Sequence, residues 1–318
     1  QEDDEKISQV FGRAVDKISD QLEKLKPNLV VLLGDRYEIL SAAISCMLLR
    51  IPIAHIHGGE TTEGVIDEAI RHSITKMSYL HFVACDDYKK RVIQLGEDPS
   101  RVFNYGAMAL DSLNNLEAYS KEYLENYLGI SLEKQIFLVT VHPETLNKPG
   151  LNEKNTMSVL SSIKEFKDDI FILNASNADE EGSKISEIFK NFSLNNNNSI
   201  FVESLGQRRY LSLLRFAQGM IGNSSSGILE MPFFKRGSIN IGDRQRGRKY
   251  ADSVVNTSFS SYEISQAIKK IKSKTFNEGI MNQILPFGSE SPSPKIIKVL
   301  EDFNLMSIEL KKSFYDLQ

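Results

Sequence analysis

Three serines between two glycines have the types and spacing for chemistry. The run Gly222-Asn223-Ser224-Ser225-Ser226-Gly227 follows a short apolar stretch and opens a predicted helix. Backbone N–H groups at a helix start carry partial positive charge, and glycines admit close approach, so the run suits an anion such as a phosphate. A serine cap with turn glycines is the alternative. No Gly-Lys-Ser/Thr follows, so this is not a P-loop. Glu230 lies one helical turn further on, where a carboxylate accepts from sugar hydroxyls. Arg244, Arg246 and Arg248 fall within five residues. Their guanidinium forks suit phosphate oxygens, or form a solvated charged face.

Carboxylates and histidines gather in the first part of the chain. Asp35 and Arg36 stand at the tip of an apolar run that stops at Gly34. A carboxylate partly withdrawn from water there moves towards the range of a general base; capping the next helix is its alternative role. The stretch "HIHGGETTEGVIDEAIRH" (55–72) is the densest in ionisable groups. His55 and His57 share one side of a strand, and Glu60, Asp67 and Glu68 follow. On a helix Asp67 is spaced to meet Arg71, and Glu68 to meet His72. Carboxylates converging on a sugar ring suit acid/base work. A His-x-His strand end with nearby carboxylates also suits a zinc pair, with only His72, His81 and His142 left as further histidines. Burial of His55 in the core, with His57 behind a functional group, is the structural alternative. His142 ends a strand before Pro143 and can hold a phosphate or give a proton. Asn177 can meet a nucleotide or build a turn.

Positioning these groups falls to an alternation of strands and helices. Ile7, Val10, Phe11, Val15, Ile18, Leu22 and Leu25 recur at helical spacing. The unbroken apolar run 29–33 predicts a strand buried on both faces, as in a parallel sheet. Strands near 51–57, 79–84 and 102–105 alternate with helices near 37–49, 67–78 and 87–95. A second series has strands near 136–141, 169–174, 199–203, 218–222, 237–241 and 252–255. Its helices lie near 153–167, 180–191, 208–217 and 225–234, with a last helix near 295–303. The charged stretch 115–135 marks a domain change. The expected organisation is a first domain over 1–120, a second over 121–290, and a C-terminal helix over 291–318 that packs back on the first. The fold class is α/β with two doubly wound parallel sheets. Ligands in such sheets sit beyond the carboxyl ends of the strands, and each motif above falls at one of those ends.

Bulk composition narrows the function. Of 318 residues 41% are apolar and 25% charged, enough for a sizeable core. A net charge of −4 and a pI near 5.9 lack the basic footprint of nucleic-acid binding. No apolar run reaches the length of a membrane span. The two cysteines, Cys46 and Cys85, fit neither a zinc knuckle nor a disulfide framework, so a reducing cytoplasm is expected. No Gly-x-Gly-x-x-Gly follows a strand, which argues against an adenine dinucleotide.

Taken in order, "LGDRYE", "HIHGGE", "DEAIRHSITKMS", "HPET", "GNSSSGILE" and "INIGDRQRGR" resemble the hydrolysing UDP-N-acetylglucosamine 2-epimerases of bacterial sialic acid biosynthesis. The resemblance runs from about residue 25 to residue 300. It implies two Rossmann-like domains in a glycosyltransferase-B-like arrangement, with no cofactor and no required metal. It implies UDP elimination to a glycal followed by addition of water, giving N-acetylmannosamine from UDP-N-acetylglucosamine. The same reaction on a UDP-2,4-diacetamido-2,4,6-trideoxy sugar, feeding legionaminic acid, and sugar transfer by an enzyme of the same fold are the alternatives. By motif, Asp35 and Asp67 match the family's proton-transfer acids, and Glu60 of the shared Gly-Gly-Glu is a further one. Arg36, His142, Asn177, Ser224, Ser225, Glu230 and Arg244 match its UDP contacts. Many relatives have Glu at the position of His57, so His57 or Glu60 takes that acid's part. The stretch before Asp67 is one residue longer than in some relatives, which leaves Glu68 as an alternative to Asp67. The family opens on a strand and a Gly-Ser/Thr-Arg loop; this chain opens at Gln1 on a helix, so that first strand is expected to be missing from it. A homo-oligomer, dimer or tetramer, is also implied.

Overall fold

The computed structural model describes residues 6–63, 65–144, 147–177, 181–303 and 310–317. The chain divides into two units, one comprising Gln1–Thr61, Ile66–Met108 and Glu290–Gln318, the other Thr62–Val65 and Ala109–Ser289. The first unit contains α1 (Ile7–Leu25), β1 (Val30–Leu33), α2 (Tyr37–Leu48), β2 (Ile53–Ile56), α3 (Asp67–Met77), β3 (Leu80–Val83), α4 (Asp86–Gln94) and β4 (Val102–Asn104). Its strands form a parallel sheet in the order β1-β2-β3-β4. The second unit contains α5 (Ala109–Asn114), α6 (Lys121–Leu128), β5 (Ile136–Thr140), α7 (Leu151–Ile163), β6 (Ile170–Asn174), α8 (Gly182–Leu194), β7 (Ser199–Val202), α9 (Gly206–Leu214) and β8 (Gly219–Gly222). It continues with α10 (Ser226–Leu229), β9 (Gly237–Ile241), β10 (Val254–Thr257), α11 (Ser261–Lys272) and α12 (Lys274–Gly279). Its sheet is also parallel, in the order β10-β9-β8-β5-β6-β7. The last helix, α13 (Ser293–Asp302), belongs to the first unit.

In the first unit, β2 and β3 are buried along their whole length, including His55 and His81, whose ring nitrogens find partners inside the fold. One face packs Leu32, Ala43, Cys46, Ile53 and Ile74 with Leu22 of α1. The other packs Ala54, Ile56, Leu80 and Phe82 against Ile296 of α13. The expectation for the run 29–33 needs correction. β1 is the edge strand of the sheet, and Val31 and Leu33 are 46% and 51% exposed. Leu32 alone is buried in that strand, on the α1–α2 side. An apolar run signals a strand, but whether both faces are covered depends on its neighbours.

The second unit covers both faces of its sheet. Phe137, Val139, Phe171 and Ile239 meet α7, α8 and α11 through Ile163, Phe189 and Ile268. Ile136, Leu138, Ile172 and Met220 meet Leu113, Leu124, Leu214 and Met231. Strand order runs one way through β5, β6 and β7 and the other way through β8, β9 and β10. The reversal lies between β5 and β8, the switch point at which such sheets hold ligands. The helix expected over 225–234 is shorter than its apolar pattern suggested. α10 is a single turn, and Pro232–Phe234 forms a separate 3-10 turn, because Pro232 has no N–H to continue the ladder.

Candidate active site

Two sites take shape, one at the strand ends of each unit. In the first unit, Asp35 follows β1 and its side chain is 25% exposed. Arg71, on the second turn of α3, is fully buried. Its Nε donates to Asp35 Oδ2 at 2.9 Å, and its Nη2 donates to the same oxygen. Its Nη1 donates to Glu68 Oε2 at 2.8 Å and to the Glu60 carbonyl at 3.1 Å. Burial disfavours the guanidinium charge, but Asp35, Glu60 and Glu68 outweigh it and raise the Arg71 pKa. Glu68 also meets His72 Nε2 at 3.1 Å. Asp67 is the first residue of α3 and half-buried. Arg36 precedes α2, with its guanidinium against Glu38 and over the Tyr37 ring.

The two strand histidines differ in environment. His55 is fully buried, with Nε2 donating to the Gly34 carbonyl at 3.0 Å and Nδ1 3.3 Å from Thr75 Oγ1. Burial lowers its pKa to about 4, so it is neutral and supports the turn that carries Asp35. His57 has a left-handed backbone, φ 69°. The Met108 N–H donates to its Nε2 at 3.1 Å, so its proton resides on Nδ1, which donates to Glu60 Oε1. Gly59, in the same turn at φ 78°, passes so close to α4 that an added Cβ would lie 2.5 Å from the Tyr88 carbonyl. Among the described residues, no group of three or more His, Cys, Asp or Glu side chains is placed to hold a metal ion.

In the second unit, a cavity of about 270 Å³ lies at the β5/β8 switch point. Thr140, Asn174, Glu203, Tyr210, Ser224 and Ser226 contribute to its wall. Among the described residues that wall includes Ser224 and Ser226 but not Ser225, whose carbonyl starts α10 by accepting from Ile228 and Leu229. Glu230 ends α10, and burial raises its carboxyl pKa against a lowering hydrogen bond from Ser226. Its Oε2 is buried with no partner among the described residues. Burial and the nearby Glu230 also raise the phenol pKa of Tyr210.

Asn223 is fully buried and ties the two strand ends together. Its Oδ1 accepts from His142 N at 2.7 Å and its Nδ2 donates to His142 O at 2.8 Å. Its own carbonyl accepts from Arg244 Nη1 at 3.3 Å and Gln245 Nε2 at 2.8 Å. The Asn177 N–H donates to His142 Nδ1 at 3.1 Å, which leaves the ring proton on Nε2. Glu144 Oε1 accepts from the Asp243 and Arg244 amides at 2.9 and 3.1 Å, fixing the loop that carries Arg244.

Asp35 and the Glu60 turn are thus brought together through Arg71, with Glu68 as a third member. Arg36 belongs to the first unit, whereas His142, Asn177, Ser224, Ser225, Glu230 and Arg244 belong to the second. Arg71, Asn223 and Glu144 connect these segments, and the motifs assigned them no role. Arg71 carried a partial signal, standing one helical turn after Asp67 and Glu68. Asn223 and Glu144 stand inside the quoted motifs GNSSSGILE and HPET, but no local signal showed their partners, which lie 81 and about 100 residues away in the chain.

Residues 1–301 match the family model described as UDP-N-acetylglucosamine 2-epimerase. The chain is 44% identical over 318 residues to a GDP/UDP-N,N'-diacetylbacillosamine 2-epimerase (hydrolyzing) of Campylobacter jejuni, covering 99% of this chain and 82% of the relative. It is 39% identical over 290 residues to the polysialic acid biosynthesis protein P7 of Escherichia coli, covering 91% and 73%. Its fold is similar to the crystal structure of UDP-GlcNAc 2-epimerase from Neisseria meningitidis bound to UDP-GlcNAc. The TM-score is 0.82 at 19% identity, over 95% of this chain and 84% of the other. Family match, sequence identity and fold agree: the chain belongs to the UDP-N-acetylglucosamine 2-epimerase family.

Proposed function

We propose that the protein is a hydrolysing 2-epimerase that converts a UDP-linked 2-acetamido sugar to UDP and the free 2-epimer. A carboxylate removes the C2 proton, the C–H electron pair forms the C1=C2 double bond, and UDP departs with the C1–O electrons. Water then adds its oxygen at C1, losing one proton to solvent, while a second acid returns a proton to C2 from the other face. Proton removal from so weak a carbon acid is feasible only as the leaving group departs, so diphosphate stabilisation is part of catalysis.

The observation that carries this reading is the carboxylate set at the strand ends of the first unit. A nucleotide cavity alone suits many enzymes; the Asp35 and Glu68 carboxylates on the Arg71 guanidinium, with the Glu60 carbonyl held by the same group and the Glu60 carboxylate on His57, suit proton transfer. Asp35 acts as the base through Oδ1, since Oδ2 is taken by Arg71. Glu60 and Asp67, with Glu68 as the alternative to Asp67, supply the returning proton. The cavity between Thr140 and Ser224 takes the uridine, the unpartnered oxygen of Glu230 accepts from ribose hydroxyls, and Ser224, Ser225, His142, Asn177, Arg36 and Arg244 hold the rest of UDP. For the sugar, the name of the 44%-identical Campylobacter relative, which gives GDP/UDP, supports N,N'-diacetylbacillosamine, and that of a 30%-identical Legionella relative supports its UDP form. UDP-N-acetylglucosamine is the second reading, favoured by the family model.

Incubation with each sugar nucleotide in deuterated water tests both. UDP release with a manno-configured product carrying deuterium at C2 is the expected result, faster on the diacetamido sugar. A product without solvent deuterium at C2, or transfer to an acceptor in place of free sugar, overturns it.

A further inference from the structure

We propose that Arg71 is the positioning residue of the active site, fixing Asp35, Glu68 and the Glu60 turn relative to one another for proton transfer. The inference rests on the 2-epimerase reading.

Arginine is almost never fully buried unless it is paired, and Arg71 is fully buried. Its planar fork reaches three separate segments: the loop after β1, the turn after β2, and α3 itself. Nε and Nη2 converge on one oxygen of Asp35, which orients the carboxylate and leaves Oδ1 without a hydrogen-bond partner among the described residues. Nη1 is shared between a carboxylate and a backbone carbonyl, so one nitrogen ties Glu68 to the Glu60 turn. His57, bound to Met108 N–H and to Glu60, holds the far side of that turn.

Stability alone is a poor reason for this arrangement, because a buried ion pair is often replaceable by apolar residues without loss. Its value lies in geometry. A reacting carboxylate displaced by about 1 Å loses on the order of 100-fold in rate. Lysine keeps the charge but, as a point donor on a flexible stem, cannot reproduce the fork.

The test compares Arg71→Lys and Arg71→Ala with the unmodified protein, measuring kcat, KM and UDP affinity. We expect Kd for UDP and KM to stay within about 3-fold, since the proposed nucleotide contacts lie elsewhere, while kcat falls about 100-fold in Arg71→Ala and at least about 10-fold in Arg71→Lys. Added guanidinium ion restores part of kcat to Arg71→Ala but not to Asp35→Asn, which lacks the group being positioned. If Arg71→Ala does not fold, Arg71→Lys carries the test. A folded Arg71→Lys protein with unchanged kcat, or one in which KM alone rises, overturns the proposal. Absence of UDP release by the unmodified protein from either sugar nucleotide overturns the 2-epimerase reading and this inference with it. Release at equal kcat by both proteins overturns this inference alone.

Discussion

At the scale of single residues, His57 shows how a ring can be committed without being charged. Its Nε2 accepts the Met108 amide and its Nδ1 proton goes to Glu60, at a left-handed backbone angle uncommon outside glycine, though histidine is among the side chains that adopt it more often. A residue held in that conformation costs about 1–3 kcal/mol and persists where its surroundings dictate it. Its two hydrogen bonds account for the choice: they aim the Glu60 carboxyl from a residue three positions earlier. With both nitrogens engaged, His57 is proposed to orient the Glu60 carboxyl. We therefore expect His57→Ala to lower kcat about 10-fold while leaving UDP affinity unchanged, in the range of a lost positioning contact. Steady-state kinetics with UDP titration checks it, and unchanged kcat would reduce the ring to packing. His55, two residues earlier, lies inside β2, whereas His57 stands just past its end in a left-handed turn, so the two do not share one side of a strand as expected; burial keeps His55 neutral beneath the Asp35 turn.

At the scale of elements, the second site depends on how closely β8 approaches β5. Thr140 and Gly222 are register partners, and Asn223 N–H donates to the Thr140 carbonyl at 3.2 Å. Gly222 has φ 140°, and an added Cβ would lie 1.8 Å from the Thr140 carbonyl oxygen. That contact is backbone on backbone, so no rotamer change relieves it. Gly222→Ala is expected to cost at least about 3 kcal/mol, combining overpacking with a backbone conformation unfavourable to alanine. UDP binding should be lost with it, since the Asn223 bracket to His142 starts from that approach. Thermal denaturation with and without UDP reads both effects; a wild-type melting temperature would show that the strands separate without cost. The shortness of α10 matters here as well. One helical turn contributes little macrodipole, so the serine hydroxyls and individual amides, not a long helix, carry the affinity expected of this loop.

At the scale of the whole molecule, the end of the chain is anchored in the first unit. Lys312 donates to both oxygens of the buried Glu97, which also meets Lys76 and His81. Tyr315 N–H donates to the Gly96 carbonyl beside them. Burial disfavours the charged Glu97, but hydrogen bonds from His81, Lys312 and Lys76 outweigh it and bring its pKa down to about 2. A carboxyl depressed in the folded state contributes stability above its ordinary pKa of 4.5 and loses it as pH falls towards 2. The depressed pKa of His55 gives the same sign in another window: its contribution is complete above 6.5 and is lost as pH falls through about 4. Each contribution is about 3 kcal/mol at most. Glu97→Gln should therefore destabilise the protein at pH 7 by about that amount, with the difference from wild type shrinking as pH falls from 4.5 to 2. Urea unfolding at a series of pH values measures it, and a difference constant across that window would remove Glu97 from the account.

Much of this molecule is legible in one dimension. The pattern of apolar residues marked the strands of both sheets and most of the helices between them, because the buried strands of a parallel sheet are mostly apolar, with a partnered polar residue such as His55 tolerated. The motifs at the strand ends marked the stretches that became the two sites, and their combination marked the family. Local pattern did not reach the partners. That β1 would be an edge strand and that β5 and β8 would form the switch point follow from the order of strands in a sheet, and which serines line the cavity is decided by the turn into α10. Arg71 meets Asp35 36 residues away, and Asn223 meets His142 across 81. Burial, hydrogen-bond partners and proton positions belong to such long-range encounters. The sequence by itself determined which chemical groups stand at the strand ends; only tertiary packing decided which of them touch.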